Sequence, residues 1–247
     1  MRRTLSAILV LVLAAPGLMH AQILNPSQGR SQGRSMVTTR YGIVAAESPL
    51  AAQAGAQILA RGGNAIDAAV ATNAVMGVVE PMMNGIGGDL FAIVYDAKSG
   101  HLYGLNASGW SPQALTPQFL AAKGITTMPH FGIDTVTVPG AVDGWSKLLT
   151  RFGKLTLHDD LQSAIRYASE GFPVPEWDAA YWAEASGFLA KNPETARLYL
   201  PNGHAPAIGE VFRNPDLAHS LTLIANAGRD AYYKGPIAEK IVALSKK

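Results

Sequence analysis

The sequence contains no cysteine. That excludes disulfides, thiolate nucleophiles and zinc sites built on sulfur. Charge is also scarce: Asp, Glu, Lys and Arg make up 15% of the 247 residues, and the formal net charge is +2. No basic stripe and no run of like charge occurs, which argues against nucleic acid as a partner. Beyond the N-terminus there is no apolar run that approaches the roughly 20 residues needed to span a bilayer. The patterns Gly-x-Ser-x-Gly and His-Glu-x-x-His are missing, and with them two common sources of a nucleophile or a metal-bound water. The six histidines are scattered. His130, His158, His204 and His219 fall near loops or helix starts, where solvated or structural roles are expected. Asp159 and Asp160 are adjacent, so on a helix they point in different directions. They are expected to sit in a first turn, favourably placed against the helix dipole.

What is present begins with a leader. Arg2 and Arg3 precede an apolar run from Leu5 to Ala15, and Met19-His20-Ala21 offers a small residue before Gln22. This is the layout of a secretory signal peptide over residues 1–21, and it implies a periplasmic or secreted protein with no membrane attachment once the leader is removed. Removing it takes two positive charges away and leaves a mature chain of zero formal charge. Residues 22–41 are polar and read as a flexible lead-in, with Arg30, Arg34 and Arg40 in solvent. Residues 42–247 form the remaining domain; at 48% hydrophobic content the chain can bury a sizeable core.

The most informative stretch runs from Ser48 to Asp96. Ser48 followed by Pro49 reads as an N-cap with proline at the first helical position. Gly62-Gly63 ends that helix. Asn64 caps the next, with Asp67 placed for a capping box. The second helix, Ala65 to Val79, carries only Asp67, Thr72 and Asn73 as polar residues, which predicts burial. Asn84-Gly85-Ile86-Gly87-Gly88-Asp89 then leads into an apolar run, Leu90 to Tyr95, expected as a buried strand. No Lys-Ser/Thr follows the glycines and they do not open a helix, so the loop is a tight turn and not a phosphate cradle. Further along, strands are expected at Gly42–Ala46, His101–Asn106 and Asp134–Val138. Helices are expected at Pro117–Lys123, Ala141–Phe152, from Thr156 to Gly171, at Glu176–Lys191, from Asn214 to Gly228 and from Pro236 onward. Asn192 to Arg213, rich in proline and glycine, reads as irregular.

Several strings in order carry a family resemblance. Gly62-Gly63-Asn64-Ala65-Ile66-Asp67-Ala68-Ala69-Val70-Ala71 and Asn84 to Phe91 resemble segments of the gamma-glutamyltranspeptidase (glutathione hydrolase) family. So do Thr137-Val138-Pro139-Gly140-Ala141-Val142-Asp143-Gly144, Ala168 to Val174, and Tyr232-Tyr233-Lys234-Gly235-Pro236-Ile237-Ala238. The match runs unbroken from Gly42. It implies an α+β fold: the four-layer αββα arrangement of N-terminal-nucleophile hydrolases, incomplete here because only the large-subunit portion is covered.

The resemblance also implies a chemistry that the chain does not complete. Family members cut themselves, and a threonine freed at the start of the small subunit serves as nucleophile, with its own α-amine as base. That threonine lies in a Thr-Thr-His-x-Ser motif that is not found here. Thr38-Thr39 precedes Arg40, and Thr126-Thr127 precedes Met128, so neither fits. No catalytic residue is therefore assigned, no metal or other cofactor is implied, and the chain alone is expected to be inactive without the missing small-subunit half of its precursor. The substrate implied is a small-molecule γ-glutamyl amide such as glutathione, cleaved by hydrolysis or by transfer to an amino acceptor. The family's large subunit holds the substrate carboxylate with an arginine, and that position falls on Ser108 in Asn106-Ala107-Ser108-Gly109-Trp110-Ser111-Pro112. Ser108 and Trp110 are thus the candidate substrate-binding residues, weighed evenly against residues that merely shape a loop. The lost guanidinium opens a second reading, an acylase acting on another amide such as a β-lactam side chain or a small dicarboxylic monoamide. A third reading is a non-catalytic periplasmic binding module.

Overall fold

The computed structural model describes residues 37–246. The leader and most of the lead-in lie outside the described residues. The chain divides into two units, Met1–Arg40 and Tyr41–Lys247, and the fold below is that of the second.

Helices α1 (Pro49–Ala60) and α2 (Ala65–Val79) form an antiparallel pair at the centre. α1 follows Pro49 as its sequence predicts, but Ser48 makes no side-chain capping bond; it is buried instead. α2 has the complete capping box: Asn64 Oδ1 accepts from Ile66 N at 2.8 Å and Asp67 N at 3.2 Å, and Asp67 Oδ2 accepts from Asn64 N at 2.6 Å. Asp67 is fully buried because it is fully used. Its carboxylate also accepts the backbone N–H groups of Lys154 (2.9 Å) and Leu155 (3.1 Å) across the fold. Ala68, Val70, Ala71, Ala74, Val75, Val78 and Val79 are all buried, as an all-apolar helix requires.

A hairpin follows, β1 (Leu90–Asp96) with β2 (His101–Ala107), antiparallel from Leu90↔Ala107 to Asp96↔His101. Only one face packs inward. Leu90, Ala92, Val94 and Leu105 rest on the core, while Phe91, Ile93, Tyr95 and Leu102 are 68%, 80%, 66% and 68% exposed. The expectation of a strand buried on both faces fails here. The strand is apolar on both sides, yet among the described residues nothing covers the second.

After a short helix α3 (Pro117–Ala122), α4 (Ala141–Phe152) lies against the hairpin and α2, with Val142 and Trp145 buried. α5 (Leu157–Glu170) opens with the second capping box, Thr156 and Asp159, and packs between α2 and α8 (Pro215–Ala227). Between them come β3 (Phe172–Pro173), α6 (Glu176–Leu189), α7 (Pro193–Tyr199) and β4 (Val211–Phe212), and α9 (Arg229–Tyr233) and α10 (Pro236–Ser245) close the described chain. β3 pairs with β4. Phe212 is sandwiched by Trp182 at 4.7 Å and Phe172 at 6.0 Å between ring centroids, both edge-on, and Trp182 donates its indole N–H to Tyr199 O at 2.7 Å. Each buried side chain of this size contributes about 1.5–3 kcal/mol.

Three sequence expectations are corrected. Gly42–Ala46 and Asp134–Val138 are not strands; among the described residues neither has a strand beside it, and Ile133–Thr135 winds into a 3₁₀ turn. Asn192–Arg213 is not wholly irregular, since Asn192 caps α7 and Val211–Phe212 pairs with β3. Asp160 does lie in the first turn of α5, as expected, but it faces inward. It is fully buried on α5, and neither carboxyl oxygen has a hydrogen-bond partner. Burial first, and the neighbouring Asp67 second, push its pKa up to about 7. Among the described residues no helix is long and apolar enough to cross a membrane.

Candidate functional site

Three loops meet at the hairpin's open end. The first, residues 84–89, joins α2 to β1; the second, 107–110, leaves β2; the third, 137–140, enters α4. Gly88 O accepts from Gly140 N at 3.0 Å and Ala141 N at 3.1 Å, which ties the first loop to the third. Val138 N donates to Trp110 O at 2.9 Å, tying the third to the second. The Thr137 hydroxyl lies 3.3 Å from Ser108 O and 3.4 Å from Asp89 Oδ1, so its single proton faces an acceptor on each of the other two loops.

Glycine makes this approach possible. A Cβ on Gly140 would lie 1.9 Å from Ala107 O, and one on Gly109, whose φ is +78°, would lie 1.8 Å from Val138 O. No other residue fits either position without moving the backbone.

The loops are also held from behind. Asn84 donates its amide to Asn73 O at 2.9 Å, and Trp145 Nε1 donates to Asn73 Oδ1 at 2.8 Å. Tyr232 donates its hydroxyl to Ile86 O at 2.8 Å. Tyr233 donates to Pro139 O at 2.7 Å and accepts from Asp143 N at 3.1 Å. Asp143 pairs with Arg229, and with Lys147 at 2.7 Å. Burial alone would raise the Asp143 carboxyl, but the two cations outweigh it and hold it below the usual range. Thus the Tyr232-Tyr233 segment and the Thr137–Gly144 segment, far apart in sequence, brace one structure.

Of the two residues picked out from the sequence, Ser108 is half-buried at the centre of the loop junction, its N–H donated to Asn106 Oδ1 at 3.0 Å. Trp110 is 85% exposed; its backbone, not its ring, takes part in the junction. Asp89 and Thr137 were not singled out by the sequence reading, though both stand inside the motif strings it rests on. Two glycines before Asp89 and a proline after Thr137 were the available signal. Among the described residues no group of three potential metal ligands comes together.

Residues 51–247 match the family model for gamma-glutamyltranspeptidase. The chain belongs to the gamma-glutamyltranspeptidase family. It is 41% identical over 211 residues to the glutathione hydrolase-like YwrD proenzyme of Bacillus subtilis, an alignment covering 85% of this chain and 40% of that relative. Among solved structures it is similar to the gamma-glutamyltranspeptidase of Helicobacter pylori, with a TM-score of 0.79 and 29% identity, covering 84% of this chain and 60% of that one. It is also similar to the cephalosporin acylase of Bacillus halodurans, with a TM-score of 0.76 and 39% identity, covering 87% and 42%. The chain therefore spans less than half the length of the proenzyme relative it matches, and it corresponds to the N-terminal portion of a gamma-glutamyltranspeptidase-type proenzyme.

Proposed function

We propose that this chain is the large-subunit portion of an exported amidohydrolase of the gamma-glutamyltranspeptidase type. Residues 1–21 are its signal peptide, 22–41 a lead-in, and 42–247 its share of the catalytic domain. In the complete protein a threonine, freed by self-cleavage in the small-subunit half, attacks the carbonyl carbon of a small-molecule amide. Its α-amine, titrating at about 7.7–8.0, takes the hydroxyl proton and passes it to the departing amine. The resulting acyl ester is opened by water or by a second amine. This chain supplies no nucleophile or base. Its part is to present the loop at Ser108 to the acyl group and to build half of the packing. In the four-layer αββα arrangement the hairpin belongs to one sheet, and its apolar face at Phe91, Ile93, Tyr95 and Leu102 packs on the other.

The observation that carries this reading is the convergence of three motif-bearing loops on Ser108, locked by Gly109 and Gly140. A γ-glutamyl amide such as glutathione is one substrate class. The second, an amide with a different acyl group, is favoured by Ser108 itself, which offers a hydrogen bond but no charge to a carboxylate. The test is turnover of L-γ-glutamyl-p-nitroanilide by the full-length, processed protein. Fast turnover at a low KM supports the γ-glutamyl reading, and slow turnover beside a faster acyl anilide supports the acylase reading. Failure to hydrolyse any amide overturns both and leaves a binding module.

A further inference from the structure

We propose that Asp89 is a specificity-determining residue: it excludes a carboxylate from the acyl tail, so that the preferred substrate is an amide whose acyl group ends in a neutral or cationic group. This rests on the reading that the Ser108 loop contacts the acyl group.

Asp89 ends the Asn84–Asp89 loop and is exposed at the junction. Its Oδ1 lies 3.4 Å from the Thr137 hydroxyl, the same hydroxyl that sits 3.3 Å from Ser108 O. Asp89 and Ser108 are therefore held on either side of one shared donor. Around them, no Lys or Arg among the described residues forms an ion pair or hydrogen bond with any of the three loops. The nearby cations Arg229 and Lys147 are both committed to Asp143. Among the described residues the only formal charge bonded into the junction is thus negative. The other groups on offer are acceptors, namely Ser108 O and the second oxygen of Asp89, and the Ser108 hydroxyl, which can act either way. An acyl tail entering here meets repulsion if it carries a carboxylate and a hydrogen-bonded ion pair if it carries an ammonium. An uncharged chain can lie along the exposed Trp110 ring without either effect. The inference narrows the acylase reading further, since it disfavours dicarboxylic monoamides.

The test compares p-nitroanilides of three five-carbon acyl groups, glutaryl, pentanoyl and 5-aminopentanoyl, on the full-length, processed protein. The pentanoyl and 5-aminopentanoyl anilides are expected to exceed the glutaryl anilide in kcat/KM by about tenfold or more, the scale of one like-charge contact in a partly screened site. Asp89→Asn keeps a hydrogen-bond acceptor for Thr137 and is expected to shrink that ratio several-fold, through KM rather than kcat. Asp89→Glu is expected to restore it. A wild-type preference for glutaryl or γ-glutamyl anilide, or a ratio unmoved by Asp89→Asn, overturns the inference while leaving the enzyme reading intact. Absence of turnover with every anilide overturns the enzyme reading itself.

Discussion

Replacing Asp160 by Asn is expected to stabilise the protein increasingly as pH rises from about 4 to about 7, and to leave it nearly unchanged only below about pH 4. Asp160 is fully buried with neither carboxyl oxygen bonded. Its pKa of about 7 in the fold stands against an ordinary value of 3.8. Between those values the folded state holds a proton that the unfolded state releases. Folding stability therefore falls as pH rises from about 4, and the loss levels off above about 7. The full shift corresponds to an upper bound of about 4 kcal/mol, at roughly 1.4 kcal/mol per pH unit. Asn at this position is close in size and cannot ionise. It still lacks a partner, so it carries the same neutral-polar cost that protonated Asp160 carries at low pH. Urea unfolding of both proteins at pH 5.5 and pH 8.5 gives the comparison. The variant should gain about 2 kcal/mol relative to wild type on going to the higher pH, from the roughly 1.5 pH units between 5.5 and 7 at about 1.4 kcal/mol each, or several degrees in Tm. Other acids add their own pH dependence equally to both proteins and cancel in the difference. If wild type and variant lose stability in parallel between the two pH values, Asp160 does not ionise at a cost, and the reasoning from its burial is wrong.

Other expectations follow from the same coordinates. Gly140→Ala places a methyl 1.9 Å from Ala107 O and should cost more than about 3 kcal/mol, read as a lowered urea midpoint. Tyr233→Phe removes the hydroxyl that serves both Pro139 O and Asp143 N, and should cost about 1–3 kcal/mol by the same assay. Glu80 is buried, and burial together with the charges of Asp178 and Glu47 pushes its pKa up to about 7. Glu80→Gln should therefore raise the Tm at pH 8.5 more than at pH 5.5.

The helical half of the fold was legible because its signals are local. Asn64 with Asp67, and Thr156 with Asp159, sit at the spacing of a capping box, and both boxes form. Strands were less legible because a strand needs a partner. Gly42–Ala46 is a short apolar run and Asp134–Val138 alternates Thr and Val as strands do, yet neither has a strand alongside among the described residues. The first-turn place of Asp160 was legible and its burial was not, because which way a helix face turns is set by packing between α2 and α8. The loop junction was half legible. The glycine-rich strings announced tight turns, but that Gly109 and Gly140 face each other's loops is a fact of tertiary structure. Asp89 gained meaning only when Thr137, distant in sequence, was found to bridge it to Ser108.

A self-cleaving precursor must yield two chains. Mass spectrometry and N-terminal sequencing of the mature protein isolated from its host should find two chains from one precursor. One should begin near Gln22 and contain the sequence described here, and the other should begin with threonine. A single uncleaved chain, with no amide hydrolysis, would contradict the account.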